Sequence, residues 1–337
     1  MRSDVLIVGG GLLGAAVAWH CAQRGQAVRV LDRGEPGGGS SSRAFGLVDV
    51  LTLHPPGYLR ARSEAIAETA AWLRGAGALR RVAWNPCGSL NPDLGPAALP
   101  LLAAAGVEAQ WWDAERLRAE EPALSAGSAV HLPADACLDP PQYLAAVREA
   151  AIGAGVVWEQ AEAAALRQTP DGWTAAGRSA PRAVLAAGVW SPLLLPGLPL
   201  EAVRGTILET AALPPLLRRY TPVLRQLPSG SVWIGGSQER AGYRLDPEPG
   251  VVAALERAGR AALPALRGVP IRAVRTGLRP VPADGLPLAG PWPGCEGLFV
   301  CVAHSGVTMA QWLGRRLSAL LGGQRVPELA PFQPARG

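Results

Sequence analysis

The chain has 337 residues, 49% hydrophobic and 18% charged, enough for one large unit or two domains, and no run of ~18 apolar residues that would cross a membrane. All 32 basic residues are Arg, which excludes a Schiff-base lysine for pyridoxal phosphate and a P-loop lysine for a nucleoside triphosphate. The net charge of +5 comes from Arg scattered among acidic residues, without the basic arm that nucleic-acid binding would need.

Asp4 to Asp32 reads DVLIVGGGLLGAAVAWHCAQRGQAVRVLD. Val5 to Val8 is a continuous apolar run, as a strand buried on both faces requires. Asp4 and the glycines interrupt the stretch, so it is not expected to act as a signal peptide. Gly9, Gly11 and Gly14 satisfy G-x-G-x-x-G at a strand-to-helix turn. The first permits the turn, the second a close pyrophosphate, the third close packing of helix on strand. A helix from about Leu13 to Arg24 would point its positive end at that phosphate. A second strand, Ala27 to Leu31, ends at Asp32, 23 residues past Gly9, where a carboxylate can accept hydrogen bonds from a ribose. These features predict a Rossmann-like unit holding a dinucleotide without a 2′-phosphate, with Gly9, Gly11, Leu12, Leu13, Gly14, Asp32 and Arg33 around it. Periodicity alone leaves NAD and FAD open.

Gly34 to Ser42 reads GEPGGGSSS, a loop too rich in Gly and Ser to begin a helix. From here the chain resembles the FAD-dependent D-amino-acid oxidase superfamily, which includes glycine oxidase, sarcosine oxidase and D-amino-acid dehydrogenases. The resemblance implies that Ser41, Ser42, Arg43 and Ala44 pass over the flavin and its phosphates. A helix is expected from Gly57 to about Arg74, then an excursion into a second domain between about Leu79 and Val130. Asp139 reads as an N-cap with Pro140 at N1, opening a helix through about Ala151. The stretch LDPPQYLAAVREAAIGAGVVW is similar to the family segment that returns to the FAD domain. Ala183 to Ala187 reads as a strand running into Gly188, giving VLAAGVWS. The likeness places Ala187, Gly188 and Trp190 near the FAD adenosine, with an ordinary core position as the alternative for Trp190. Strands near Thr206–Glu209 and Ser231–Gly235 and a helix near Val251–Ala262 follow.

TGLRPVPADGLPLAG at Thr276–Gly290 and LFVCVAHSGVT at Leu298–Thr308 form the second match to the same superfamily. The resemblance assigns Arg279 as the catalytic-site anchor of a substrate carboxylate, beside the flavin. An Arg there binds a carboxylate in a two-pronged geometry. Arg43, Arg204 and Arg225 are weaker candidates for a second anchor. A helix from Ser305 to Leu321 would aim the N–H groups around Ser305, Gly306, Val307 and Thr308 at the flavin pyrimidine. His304 contacts flavin or substrate, or is an ordinary loop histidine. The chain departs from the family at Val223, where glycine oxidases carry a Tyr, and at Leu278–Arg279, where sarcosine oxidases carry a flavin-linking Cys. Non-covalent FAD is therefore expected.

The fold expected is α/β: a Rossmann-like FAD-binding domain from 1–78, 138–203 and 272–337, interleaved with an α+β substrate domain from 79–137 and 204–271 on a mainly antiparallel sheet. The resemblance implies oxidation of a small amino acid or amine, with hydride transfer from Cα to flavin N5. The imine formed would hydrolyse to keto acid and ammonia. O2, giving hydrogen peroxide, or a quinone or protein would accept the electrons. A different donor (a secondary amine or 2-hydroxy acid) or a flavin-binding subunit of a hetero-oligomeric dehydrogenase are the alternatives, and a homo-oligomer stays open. The five cysteines form no CxxC pair, and with four dispersed histidines they give no zinc pattern; a reduced, cytoplasmic setting is expected.

Overall fold

The computed structural model describes residues 3–34, 39–50 and 54–335; residues 35–38 of the expected Gly-Ser loop lie outside them. The framework is a six-stranded sheet whose centre is Val5–Val8, flanked in parallel by Val28–Asp32 and Arg182–Leu185. Val157–Gln160 extends it on one side and Leu298–Val302 on the other, both parallel. Leu288–Pro291 closes the far edge antiparallel. Val5–Val8 is buried along its whole length, which is why it reads as an unbroken apolar run rather than an alternating one.

Helix Leu12–Gln23 leaves the central strand through the glycine turn and is buried on nearly every side. Its partner is the C-terminal helix Gly306–Leu321. A Cβ on Gly314 would come within 2.9 Å of the Ala16 carbonyl carbon, so the small residues at this crossing let the two backbones approach. Helix Pro140–Gly153 starts as its sequence predicts, with Asp139 Oδ1 accepting from the Gln142 N–H at 2.9 Å. Asp139→Ala should therefore cost about 1 kcal/mol. A urea midpoint shifted down at constant m-value is the expected reading.

The second sheet is antiparallel, in the order Leu224–Gln226, Ser231–Ile234, Leu200–Ala212, Ile271–Pro282. Helix Pro249–Ala262 lies on it where Gly259 faces Ile234. The last two strands pair from Leu200–Pro282 to Thr210–Ile271, with an irregularity at Glu209–Thr210. The chain then re-enters the six-stranded sheet at Leu288. Pro280 and Pro282 sit on an edge strand, where a missing N–H is tolerated. A smaller sheet joins Ser89–Asn91, Ala129–Leu132 and Gln110–Trp112. Leu47–Val48 pairs with Ala136–Cys137. Among the described residues no helix is long and apolar enough to cross a membrane.

Two histidines couple this packing to pH. Burial lowers the pKa of His20, beside Gln311, and of His131 to about 4 each. The folded chain then binds fewer protons than the unfolded chain between pH 6.5 and 4. Their contribution to stability is complete above pH 6.5 and is lost as pH falls toward 4. Denaturant midpoints measured at pH 7 and pH 5 should show the drop.

Candidate active site

A cleft of about 1070 Å3 runs between the two sheets, from Asp32 and Trp190 past the glycine turn to Arg279 and His304. The turn is built for close approach. Gly9 has φ +108°, and a Cβ there would overlap the Ala186 carbonyl oxygen. A Cβ on Gly14 would overlap the Gly9 carbonyl oxygen, so Gly14 lies behind the cleft wall as the packing residue. Gly11, Leu12 and Leu13 line the cleft. The Leu12 N–H, one of the free amides of the helix start, donates to Ser41 Oγ at 3.0 Å. Asp32 sits at its strand end, where Oδ2 accepts from the Gly10 N–H at 2.6 Å and Oδ1 from the Gly34 N–H at 3.0 Å. The carboxylate is thus fixed in place with lone pairs left for hydroxyl donors.

At this end Ala187 and Gly188 open a 3-10 turn that carries Trp190. Trp190 is a half-buried wall residue, not a core one: the Arg33 guanidinium lies 4.1 Å from its ring, and Tyr243 stacks on it at 4.9 Å and 18°. Tyr243, whose hydroxyl donates to the Val189 carbonyl at 3.2 Å, was not signalled by its local sequence. Arg43 and Ala44 line the cleft; Ser42, half-buried, does not. The exposed Arg43 donates to the Thr276 carbonyl at 3.4 Å.

At the other end the long edge strand presents Arg279. Its guanidinium lies on the Gly205 backbone, where a Cβ would displace it, and donates to the Ser237 carbonyl at 2.6 Å. Burial lowers the Arg279 pKa from its usual value, countered by the Glu239 carboxylate acting from beyond ion-pairing distance. Among the described residues no carboxylate pairs with it. Arg204, by contrast, is buried against Glu239 at 2.6 Å, and Arg225 donates to the Phe45 carbonyl at 2.6 Å. Neither is among the residues lining the cleft.

The start of the C-terminal helix closes the cleft with Ser305, Gly306, Val307 and Thr308. Behind it lies a cluster that no motif announced. The buried Arg62 donates through Nε to the Asp49 carbonyl at 2.9 Å, pairs with the Asp49 carboxylate, and donates to Ser305 Oγ. The Asp49 N–H donates to Thr308 Oγ1 at 3.3 Å. A loop, a helix and the first turn of the C-terminal helix are thereby held together. His304 opens onto the cleft, 3.4 Å from Ser305 Oγ. Its surroundings and the charges of Arg279, Arg62 and His54 lower its pKa to about 4. His54, across from it, is likewise lowered to about 4 by burial and Arg62. At the expected tyrosine site Pro222 forms the wall, and Val223 faces a smaller apolar pocket.

These residues fit an elongated dinucleotide with a polarisable ring. A carboxylate and a stacked Trp stand at one end, glycine backbone and helix amides in the middle, and a helix start backed by Arg62 at the other. No cysteine is among the residues lining the cleft.

Comparison with known proteins follows the same outline. The family model described as "FAD dependent oxidoreductase" matches residues 4–320. The glycine oxidase of Pseudomonas putida is 28% identical, over 99% of each chain. An opine oxidase subunit from Rhizobium meliloti is 28% identical, over 91% of this chain and 90% of its own. The crystal structure of glycine oxidase from Geobacillus kaustophilus superposes with a TM-score of 0.88 at 25% identity, covering 100% of this chain and 99% of the other. Together with the glycine turn and the cleft that it borders, the match along nearly the whole chain means that this protein belongs to the D-amino-acid oxidase (DAO) family of FAD-dependent oxidoreductases.

Proposed function

We propose that the protein oxidises a small amino acid, of the glycine or D-amino-acid type, at the Arg279 end of the cleft, with FAD bound non-covalently. The observation that carries this reading is Arg279: a largely enclosed guanidinium, rigidly seated, with no carboxylate partner among the described residues. Its free donors suit a substrate carboxylate bound through two parallel hydrogen bonds. The likeness to glycine oxidases adds support.

When bound, FAD supplies the hydride acceptor. The residues of the chain do the rest. Arg279 fixes the carboxylate and thereby the position of Cα. Desolvation, with the charges of Arg279 and Arg62, holds His304 neutral, and the same two cations act in the same direction on a substrate ammonium, favouring loss of its proton. Neutral His304 can accept a hydrogen bond from the resulting amine. Once the Cα hydride has left, water converts the imine to keto acid and ammonia. O2, giving hydrogen peroxide, is the proposed electron acceptor, with a quinone or protein as the alternative. A cytoplasmic location and a homo-oligomer complete the proposal.

The test is the visible spectrum of the purified protein before and after anaerobic addition of glycine and a panel of D-amino acids. Bleaching of the yellow colour by one of them is the expected result. Yellow protein unchanged by every amino acid would overturn it. That outcome would favour a second reading, suggested by the likeness to an opine oxidase subunit, in which the chain is the flavin-binding part of a hetero-oligomer.

A further inference from the structure

Behind the cleft wall formed by Phe45, Gly46 and Leu47 lies a pair of cysteines that the proposed reaction does not use. Asn85 and Cys137 exchange backbone hydrogen bonds at 2.8 and 2.9 Å, and the Gly88 N–H donates to the Asp135 carbonyl at 2.9 Å. Residues 85–88 therefore run beside 135–137, which brings the Cys87 and Cys137 thiols into a hydrogen bond with each other. Cys137 is buried and also hydrogen-bonded by the Arg225 guanidinium, while Cys87 is half-exposed. Arg225 donates to the Phe45 carbonyl and presses on Gly46, where a Cβ would overlap it. Cys137 itself pairs across the strand with Leu47. The two sulfurs are thus joined, through Arg225 and through one backbone bridge, to three residues of the cleft wall.

We propose that Cys87 and Cys137 are a redox-active pair, oxidised by a hydroperoxide to a disulfide that alters the Arg225-held wall of the cleft. The Cys137 sulfur attacks one oxygen of the hydroperoxide, the O–O bond breaks, and the departing oxygen leaves as water or an alcohol. Cys137 is then a sulfenic acid. The Cys87 sulfur loses its proton, attacks the Cys137 sulfur and expels water. Two thiols and one hydroperoxide become one disulfide, one water and one further water or alcohol, a balanced two-electron oxidation.

The assignment of roles follows the surroundings. Arg225, seated against Phe45 and Gly46 next to the strand that carries Cys137, places its guanidinium beside that sulfur and favours its thiolate against burial, whereas burial and its neighbour raise the Cys87 thiol. Cys137, the sulfur beside the cation, is thus the attacking one and Cys87 the resolving one. Cys21 and Cys301 are fully buried and pushed up to about 12, so peroxide should pass them by. Oxidation removes the partial negative charge that Arg225 faces. Arg225 is buried, and its Nε already has no hydrogen-bond acceptor, so the guanidinium must resettle against Phe45 and Gly46.

The test treats the whole flavoprotein with hydrogen peroxide and follows intact mass, free thiols and linked peptides. Expected are a loss of two of the five thiols, a mass lower by two hydrogens, and a Cys87–Cys137 linked peptide that dithiothreitol releases. Cys87→Ser should instead trap a dimedone-reactive sulfenic acid on Cys137, and Cys137→Ser should abolish both products. The flavin absorption band of the wild type should shift between the dithiothreitol-treated and peroxide-treated forms, and that of Cys87→Ser should not shift in the same way. Retention of all five thiols under peroxide that oxidises a free cysteine peptide would overturn the pair. So would oxidation of a single cysteine without cross-linking. A linked pair with an unchanged flavin band would overturn its coupling to the wall. None of these readouts depends on the donor substrate, so they stand or fall apart from the amino-acid reading.

Discussion

Replacing Arg279 by alanine is expected to lower kcat/KM for an amino-acid substrate by about 30- to 1000-fold, equivalent to about 2–4 kcal/mol of transition-state binding. The size follows from geometry. The guanidinium rests on Gly205, is tied to the Ser237 carbonyl and has no competing carboxylate among the described residues, so a substrate carboxylate meets a donor set already in position. FAD content, read as the ratio of flavin to protein absorbance, should stay near wild type. A donor without a carboxylate should lose little, and an equal loss for both would remove Arg279 from substrate binding. Gly205→Ala is the companion variant. Its methyl group pushes the guanidinium off its seat, so KM should rise while the charge remains.

The second large effect is on stability. Arg62→Leu should cost about 3–5 kcal/mol, because it leaves Asp49 buried without its cation. The damage spreads to Asp135, which is fully buried and whose pKa is already raised by burial and by Asp49, with Ser89, the Val50 N–H and Arg62 opposing the rise. Guanidinium denaturation of the variant should show the loss. Adding Asp49→Asn should return part of it, since the charge that Arg62 compensates is then gone. No recovery in the double variant would mean that Arg62 acts through packing alone.

What the sequence disclosed and what it hid divide by the range of the interactions. The turn after Val5–Val8, the Asp139 cap and the start of the C-terminal helix each depend on residues a few positions apart, so glycine spacing and capping chemistry reveal them. Arg279 is singled out only by a motif, since its surroundings are a tertiary fact. Trp190 could be wall or core until Tyr243, 53 residues later, stacked on it. Arg62 carries no local signal, because its partners Asp49 and Ser305 come from other parts of the chain. Cys87 and Cys137 are 50 residues apart and meet through an irregular bridge that has no sequence signature. The pairing of Leu200–Ala212 with Ile271–Pro282 joins residues as distant in the chain as Leu200 and Pro282 and is hidden for the same reason.

That pair of strands has a consequence for where the molecule can vary. Leu200–Ala212 and Ile271–Pro282 form a ribbon with Val203 opposite Arg279 near one end and the chain 213–270 issuing from the other. A slip of one residue would turn every side chain to the opposite face, Arg279 included. Because the whole ladder would have to slip together, length changes beyond Ala212 leave the register of Arg279 intact. Grafts, deletions or insertions within residues 213–270 that spare the Ser237 carbonyl, to which the guanidinium donates, can therefore reshape the neighbouring surface while Arg279 keeps its aim.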